Sequence, residues 1–320
     1  MKTRVVKIDP RLPDQNIIKD AALVLEKGGL VAFPTETVYG LGADATNGVA
    51  VASIFAAKRR PAFNPLISHL ADAGMVAGFA RWNDTAKALA QAFWPGALTL
   101  VLPRREHCAI ALIASAGLDS VALRVPSHPA AHALLAAVGR PIAAPSANRS
   151  GRISPTTAAH VAQELGDEVA LILDGGPCGI GLESTIVGFH HDRPVLLRPG
   201  GIALEQLQAV AGALEMGAEA ASTPNAPGQL ASHYAPDKAL RLNAGEAAPG
   251  EVFLGFGPGS AGEHNLSPSG DLIEAAARLF AMLRQLDQGP GEAIAVAPIP
   301  EQGLGRAIND RLRRAAAPRP

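Results

Sequence analysis

The sequence predicts an α/β protein, a mixed β-sheet domain followed by a smaller Rossmann-like unit. Three observations lead there. Apolar runs of strand length alternate with helix-period stretches through the first two thirds of the chain. Hydrophobic residues make up 48% of the 320 and charged residues 18%, enough apolar material for cores and too much for a disordered chain. Gly (33) and Pro (26) together reach about 18%, above the roughly 12% of average usage, which marks a turn-rich fold rather than a helical bundle.

The elements follow in order. Residues 16–27 (NIIKDAALVLEK) carry apolar side chains at helical spacing and stop at Gly28-Gly29. Residues 30–33 read as a buried strand, followed by the turn-prone PTETVYGLGADAT. Strand-like runs recur at 97–102, 121–125, 141–146, 169–173, 184–189 and 194–198, with helical patterns at 84–93, 128–138 and 155–165. The short connections between 169 and 198 suggest antiparallel neighbours, hence a mixed sheet. Periodicity fails from 212 to 238, a small, polar, Pro-bearing stretch with the composition of a linker. Beyond it, strands at 251–256 and 293–298 alternate with helices at 271–287 and 303–316, the β-α-β-α order of a compact Rossmann-like domain. The divisions are therefore 1–211, 212–238 (linker or lid) and 239–320. The basic tail RLRRAAAPRP reads as a solvated, fraying terminus.

Composition also excludes function classes. Lys plus Arg (28) against Asp plus Glu (29) leaves a net charge of −1, so nothing draws the whole chain to nucleic acid or an anionic membrane. Aromatics at 4% argue against a base-stacking RNA-binding sheet. Cys108 and Cys178 lie far apart, which leaves neither a disulfide framework nor a thiolate zinc site of the usual spacing. The charged start and the lack of any 18-residue apolar run predict a cytoplasmic protein without a membrane span. No Gly-Lys dipeptide exists, hence no Walker A loop. The G-x-G-x-x-G string at Gly257 to Gly262 lies too far before the helix at 271 to cradle a pyrophosphate there and is read as a loop. His190-His191-Asp192 is read as a turn.

What remains is a set of polar residues punctuating apolar strands. Lys58, Arg59 and Arg60 follow a helical stretch, Ser146 and Asn148 end a strand in PSANRSG, and Ser154 precedes Pro155 where it can cap a helix. Ser184 opens STIVGF, Arg198 closes PVLLR, and Arg124 sits inside VALRV, where burial demands a carboxylate or phosphate partner. Cations and small donors at strand ends outline an anion-binding cleft without a P-loop. The residues alone leave its chemistry open.

These strings also resemble a known family, the YrdC-type L-threonylcarbamoyl-AMP synthases in their longer two-domain form. PTETVYGLGADA (34–45), KRRP (58–61), NPLISH (64–69), FWPGALTLVL (93–102), ALRVP (122–126), APSANRSGRISPT (144–156), ESTIVGF (183–189) and LRPGGI (197–202) fall in the family's order and spacing. Lys58-x-Arg60 with Ser146-x-Asn148 resembles its signature tetrad, and HYAP (233–236) its linker. The linker departs at two places, with Ala226 for a serine and Gln229 for a methionine.

The resemblance implies a twisted open α/β sheet with a concave basic cavity, plus a small Rossmann-like C-terminal domain. It implies condensation of L-threonine, bicarbonate and ATP to threonylcarbamoyl-AMP and pyrophosphate, with Mg²⁺ accompanying ATP. The product would pass to a separate tRNA threonylcarbamoyl transferase complex for the N6-threonylcarbamoyladenosine modification of tRNA position 37, with at most a weak RNA contact by this chain. Carried over by motif, the tetrad is catalytic, and Lys58, Arg60 and Asn64 meet the ATP phosphates. Ser120, Ser146, Asn148, Ser154 and Arg198 also bind ATP, and Tyr234 folds over the nucleotide. Thr37, His69, Arg124, the backbone at Ala144, and Ser184 hold threonine. Two other readings compete: a double-stranded RNA or tRNA-binding module without catalysis, which the net charge disfavours, and a carbamoyltransferase on a related domain, which the threonine-side residues disfavour.

Overall fold

The computed structural model describes residues 3–217, 226–228, 231–260 and 262–318. The larger sheet is built from β1 (Arg4–Lys7), β2 (Val31–Phe33), β3 (Gly40–Asp44), β4 (Ile67–His69), β5 (Leu98–Pro103) and β6 (Ser120–Arg124). It continues through β7 (Ile142–Ala143), β8 (Leu171–Asp174), β9 (Thr185–His190), β10 (Arg193–Arg198) and β11 (Glu215–Met216). Its helices are α1 (Gln15–Glu26), α2 (Gly48–Lys58), α3 (Asp84–Phe93), α4 (Pro129–Val138), α5 (Ala158–Leu165) and α6 (Leu204–Ala211). The strands lie in the order β1-β8-β2-β3-β7-β4-β6-β5-β9-β10-β11, with parallel and antiparallel pairs mixed.

Local chemistry explains the main elements. In α1, Asp14 caps the N-terminus by accepting from the Asn16 and Ile17 amides. Its stripe of Ile18, Ala21, Ala22 and Leu25 is buried, each large side chain contributing roughly 1.5–3 kcal/mol. Alternation along the strands then separates two apolar faces. Ala32, Leu41 and Ile172 belong to the cluster that includes residues of α2, α3 and α5, whereas Val31, Phe33, Leu171 and Leu173 pack with α1 and α4. In the other half of the sheet, one face of β5, β6 and β9 joins the first cluster, and the opposite face, with β4, carries the small patch Ile67, Val101, Ala122 and Ile186. That lightly covered face contributes Ile67 to the floor of the site.

Three expectations need correction. β8 does not neighbour β9; it pairs parallel with β1 and β2 across the sheet, because its partner strands come from the chain's start. Only β9 and β10 form the expected antiparallel pair, joined by a two-residue turn with positive φ at His191 and Asp192. Second, β11, which pairs parallel with β10, lies inside the stretch read as linker. Third, the basic tail does not fray as far as Ala316. It forms α8 (Gly305–Ala316), with Arg311 at 0% and Arg314 at 9% exposure, because carboxylates from two elements meet them.

The C-terminal part is a four-stranded parallel sheet in the order β12-β15-β13-β14. Its elements are β12 (Ala239–Arg241), β13 (Glu251–Gly255), β14 (His264–Asn265), α7 (Leu272–Gln288), β15 (Ala293–Val296) and α8. The short β12 and β14 carry too little apolar pattern to be read from sequence. Its core is shared: Val38, Ile153 and Leu182 of the first part pack in one cluster with Leu279, Phe280 and Leu283 of α7. Among the described residues, no helix is long and apolar enough to cross a membrane.

Candidate active site

The strand ends of this face gather polar residues from distant segments into one hollow. Its wall holds Thr37, Arg60, His69, Arg124, Ala144, Ser146, Ser184, Arg198 and Tyr234, all singled out from sequence. Lys58, Asn64, Ser120, Asn148 and Ser154, also named from sequence, are not among the residues that line it.

His69 ends β4 and Arg124 ends β6, and the two pair in register on adjacent parallel strands, which brings them side by side. Arg124 is 4% exposed; its Nη2 donates to Glu36 at 2.7 Å and its Nε to the Gly96 carbonyl at 3.2 Å, while Nη1 takes part in neither bond. Burial alone raises the Glu36 carboxyl, but the Arg124 charge and hydrogen bond bring it below its ordinary value. Burial, reinforced by Arg124, drops His69 to about 3, so its ring is neutral, and its buried Nδ1 has no hydrogen-bond partner. Thr37 lies between β2 and β3, its hydroxyl 2.8 Å from that of Thr35. The Ala144 amide is already given to the Ile67 carbonyl at 2.9 Å, which leaves its carbonyl for a ligand.

Arg60 follows the left-handed C-cap Arg59 of α2. Its guanidinium is held by the carbonyls of Asn64 (3.1 Å) and Pro65 (2.8 Å). The Asn64 side chain itself is buried with both amide atoms unpartnered. Lys58, 1% exposed, donates to the carbonyls of Ser146 (2.5 Å) and Asn148, so it braces the Ser-Ala-Asn loop from behind. Burial, then the charge of Arg60, pushes the Lys58 ammonium well below its ordinary range. Burial also lowers Arg60 to about 9, with Arg198 adding to the effect.

A bulge between Leu196 and Arg198 aims Arg198 back across the sheet. Its Nη2 donates to the Ser184 carbonyl at 2.8 Å, and its Nη1 to the Pro227 carbonyl at 3.3 Å. The Ser184 hydroxyl pairs with that of Thr99 at 2.7 Å. Ser120 opens β6 on the same face as Arg124, four residues and so roughly 13 Å away along the strand. Asn148 spends its amide on the carbonyls of Arg149 (2.8 Å) and Arg152 (2.9 Å), and Ser154 donates to Glu183.

Linker residues Pro227, Gly228, His233 and Tyr234 line the hollow. Ala226 is buried in the floor patch with Ile67, Val101, Ala122 and Ile186, a seat suited to a small side chain. Gly228 is required where it stands: φ is +87°, and a Cβ would come within 2.8 Å of Arg198 Cδ and 2.9 Å of the Tyr234 hydroxyl. Tyr234, 1% exposed, stacks on Phe280 at 5.7 Å. Gln229, the second departure, lies outside the described residues.

Sequence reasoning missed Glu36, Glu183 and His233. Glu36 and Glu183 each sit inside a string quoted above, and the signal that could have found them is the need of Arg124 and the tail arginines for buried partners. His233 is pushed to about 3 by burial, and only the return of the linker explains why. Among the described residues, no group of three or more His, Cys, Asp or Glu is placed to hold a metal ion.

Comparison with known proteins gives the family. Residues 23–200 match the Sua5/YciO/YrdC family, described as "Telomere recombination", and residues 202–317 match the "Threonylcarbamoyl-AMP synthase, C-terminal domain" family. The threonylcarbamoyl-AMP synthase of Bacillus subtilis is 42% identical, with 94% of this chain and 93% of that protein covered. That of Pyrococcus abyssi is 41% identical, with 98% of each covered. The crystal structure of P. abyssi Sua5 complexed with L-threonine superposes with a TM-score of 0.90 at 38% identity, covering 99% of this chain and 98% of that one. Two matched domains in the same order, and likeness along nearly the whole length, place this chain in the Sua5/YciO/YrdC family, in the form that carries the threonylcarbamoyl-AMP synthase C-terminal domain.

Proposed function

We infer that this chain is an ATP-dependent threonylcarbamoyl-AMP synthase that condenses L-threonine and bicarbonate with ATP, releasing pyrophosphate. The observation that carries the reading is the convergence of four residues on one hollow, Arg60 within electrostatic reach of Arg198 and His69 side by side with Arg124 on adjacent strands. The first pair suits phosphates, the second an amino acid.

In this reading the threonine carboxylate binds Arg124 through Nη1, the nitrogen engaged by neither Glu36 nor Gly96. The substrate hydroxyl and amine meet Thr37, Ser184 and the neutral His69. A pKa of about 3 makes His69 a hydrogen-bond acceptor that orients the amine rather than a store for its proton at neutral pH. The neutral amine attacks the bicarbonate carbon, the departing hydroxide takes the amine proton and leaves as water, and the carbamate oxygen then attacks the α-phosphorus, breaking its bond to the pyrophosphate that leaves. Arg60 and Arg198 offset the charge that develops, with the Asn64 amide as a further donor; Lys58 and Asn148 hold the Ser146 loop in place, and Ser120 faces the far end of the nucleotide. No protein nucleophile is needed, so positioning and charge do the work. Mg²⁺ bound to the triphosphate, rather than to protein ligands, would add charge neutralisation there. Tyr234, with Pro227 and Gly228, closes over the nucleotide, and residues 212–238 act as the lid between domains 1–211 and 239–320.

The product serves a separate transferase complex that modifies tRNA position 37, in the cytoplasm, where ATP and tRNA meet. The test is pyrophosphate release from ATP in bicarbonate buffer, with and without threonine. Release that depends on threonine supports the reading, and release indifferent to threonine overturns it. Binding of tRNA without threonine-dependent turnover would favour the RNA-module alternative.

A further inference from the structure

The C-terminal domain sends one side chain to the wall of the cavity. Arg311 lies on α8, is fully buried, and donates from Nε to Glu183 Oε2 at 2.8 Å. Its Nη1 meets Asp310 at 2.5 Å, and its guanidinium sits 5.0 Å from the centre of the Tyr234 ring. Asp310 also accepts from Arg314 Nε at 3.0 Å, and the Arg314 carbonyl takes the His233 amide at 3.1 Å. Glu183, His233 and Tyr234 all line the hollow, so one helix of the second domain holds three of its wall residues.

Glu183 is the reason this matters. It is a carboxylate in the wall of a site built for anions, beside Arg198. Its Oε1 accepts from Ser154 and its Oε2 from Arg311, so both oxygens are spoken for. Burial by itself raises the Glu183 carboxyl, but Arg311 first and Arg198 second bring it below its ordinary value, so it stays ionised. With Arg311 removed, that charge would be left buried with Arg198 and Lys58 as the cations that still feel it. Arg198 would then be drawn to Glu183 instead of a phosphate, and the bare carboxylate would repel an incoming nucleotide.

We propose that Arg311 is a positioning residue: by neutralising Glu183 and backing Tyr234, it lets the C-terminal domain keep Arg198 and Arg60 free for an anionic nucleotide. The proposal rests on the reading above that the site takes ATP. It gives the second domain a part in the reaction without a site of its own.

The test compares R311Q with R311Q/E183Q, with ATP affinity measured by calorimetry and KM determined separately for ATP and threonine. R311Q should weaken ATP by about tenfold or more, with a smaller change for threonine. Adding E183Q removes the stranded charge and should recover most of the loss, a rescue that a purely structural role for Arg311 would not produce. ATP affinity unchanged in R311Q, or a double variant no better than the single one, overturns the proposal. Should R311Q fail to fold, R311M/E183Q, which strands no charge, replaces it. Affinity within about threefold of the parent then supports the idea, and a loss of tenfold or more refutes it. A parent protein that binds ATP yet releases no pyrophosphate with threonine refutes the proposed reaction alone, because the readout here is nucleotide affinity.

Discussion

Replacing Arg124 by lysine keeps the charge and should still cripple threonine recognition. Three guanidinium nitrogens divide the labour: Nε goes to the Gly96 carbonyl at 3.2 Å, Nη2 to Glu36 at 2.7 Å, and Nη1 is left for a substrate carboxylate. A lysine has a single nitrogen. Glu36, whose second oxygen is buried and unpartnered, would capture it, because a buried carboxylate has no competing water to turn to. The substrate then loses a charge-assisted hydrogen bond of about 1.5–3 kcal/mol. At about 1.4 kcal/mol per decade, the threonine KM should rise on the order of 10- to 100-fold. The KM for ATP should move far less, since Arg60 and Arg198 are untouched. The assay is threonine-dependent pyrophosphate release, with each substrate titrated at saturation of the other. A threonine KM within about twofold of the parent would refute the division of labour among those nitrogens.

Two further outcomes are expected. G200A should be among the most damaging single-methyl additions, because its Cβ would lie 2.4–2.5 Å from backbone atoms of Glu183, Ser184 and Thr185, which no rotamer change can clear. A loss of about 3 kcal/mol is expected in urea unfolding, and an unchanged midpoint would contradict the packing described. Acid should also destabilise the fold: His69 and His233, buried and held neutral with values of about 3, protonate near 6.5 once unfolded. The unfolded chain therefore binds more protons between those values. Stability is intact above 6.5 and falls with pH below it, by about 1 kcal/mol per histidine at pH 5.5. Urea midpoints that coincide at pH 7.5 and 5.5 would show that these rings are not buried.

Much of the site was legible in the sequence because its residues sit at the ends of apolar strands, where a polar side chain has no packing reason to be. Arg124 within VALRV and Arg198 closing PVLLR are such cases. The order of strands was not legible. β8 joins strands from the chain's beginning, and a pairing between β1 and β8 leaves no local trace in either segment. The tail was misread for the same reason. RLRRAAAPRP resembles a solvated end until Glu183, more than a hundred residues earlier, is seen to meet Arg311.

Period, composition and turn chemistry act between near neighbours, so they reach only the kind of each element, its approximate limits and the presence of unusual cations. Which cations share one hollow, which are already neutralised by Glu36 or Glu183, and that the linker's Ala226 closes the floor are matters of long-range contact. Charge on a side chain is written in the amino-acid code. Whether that charge is free for a substrate depends on what the folded chain places within about 3 Å of it.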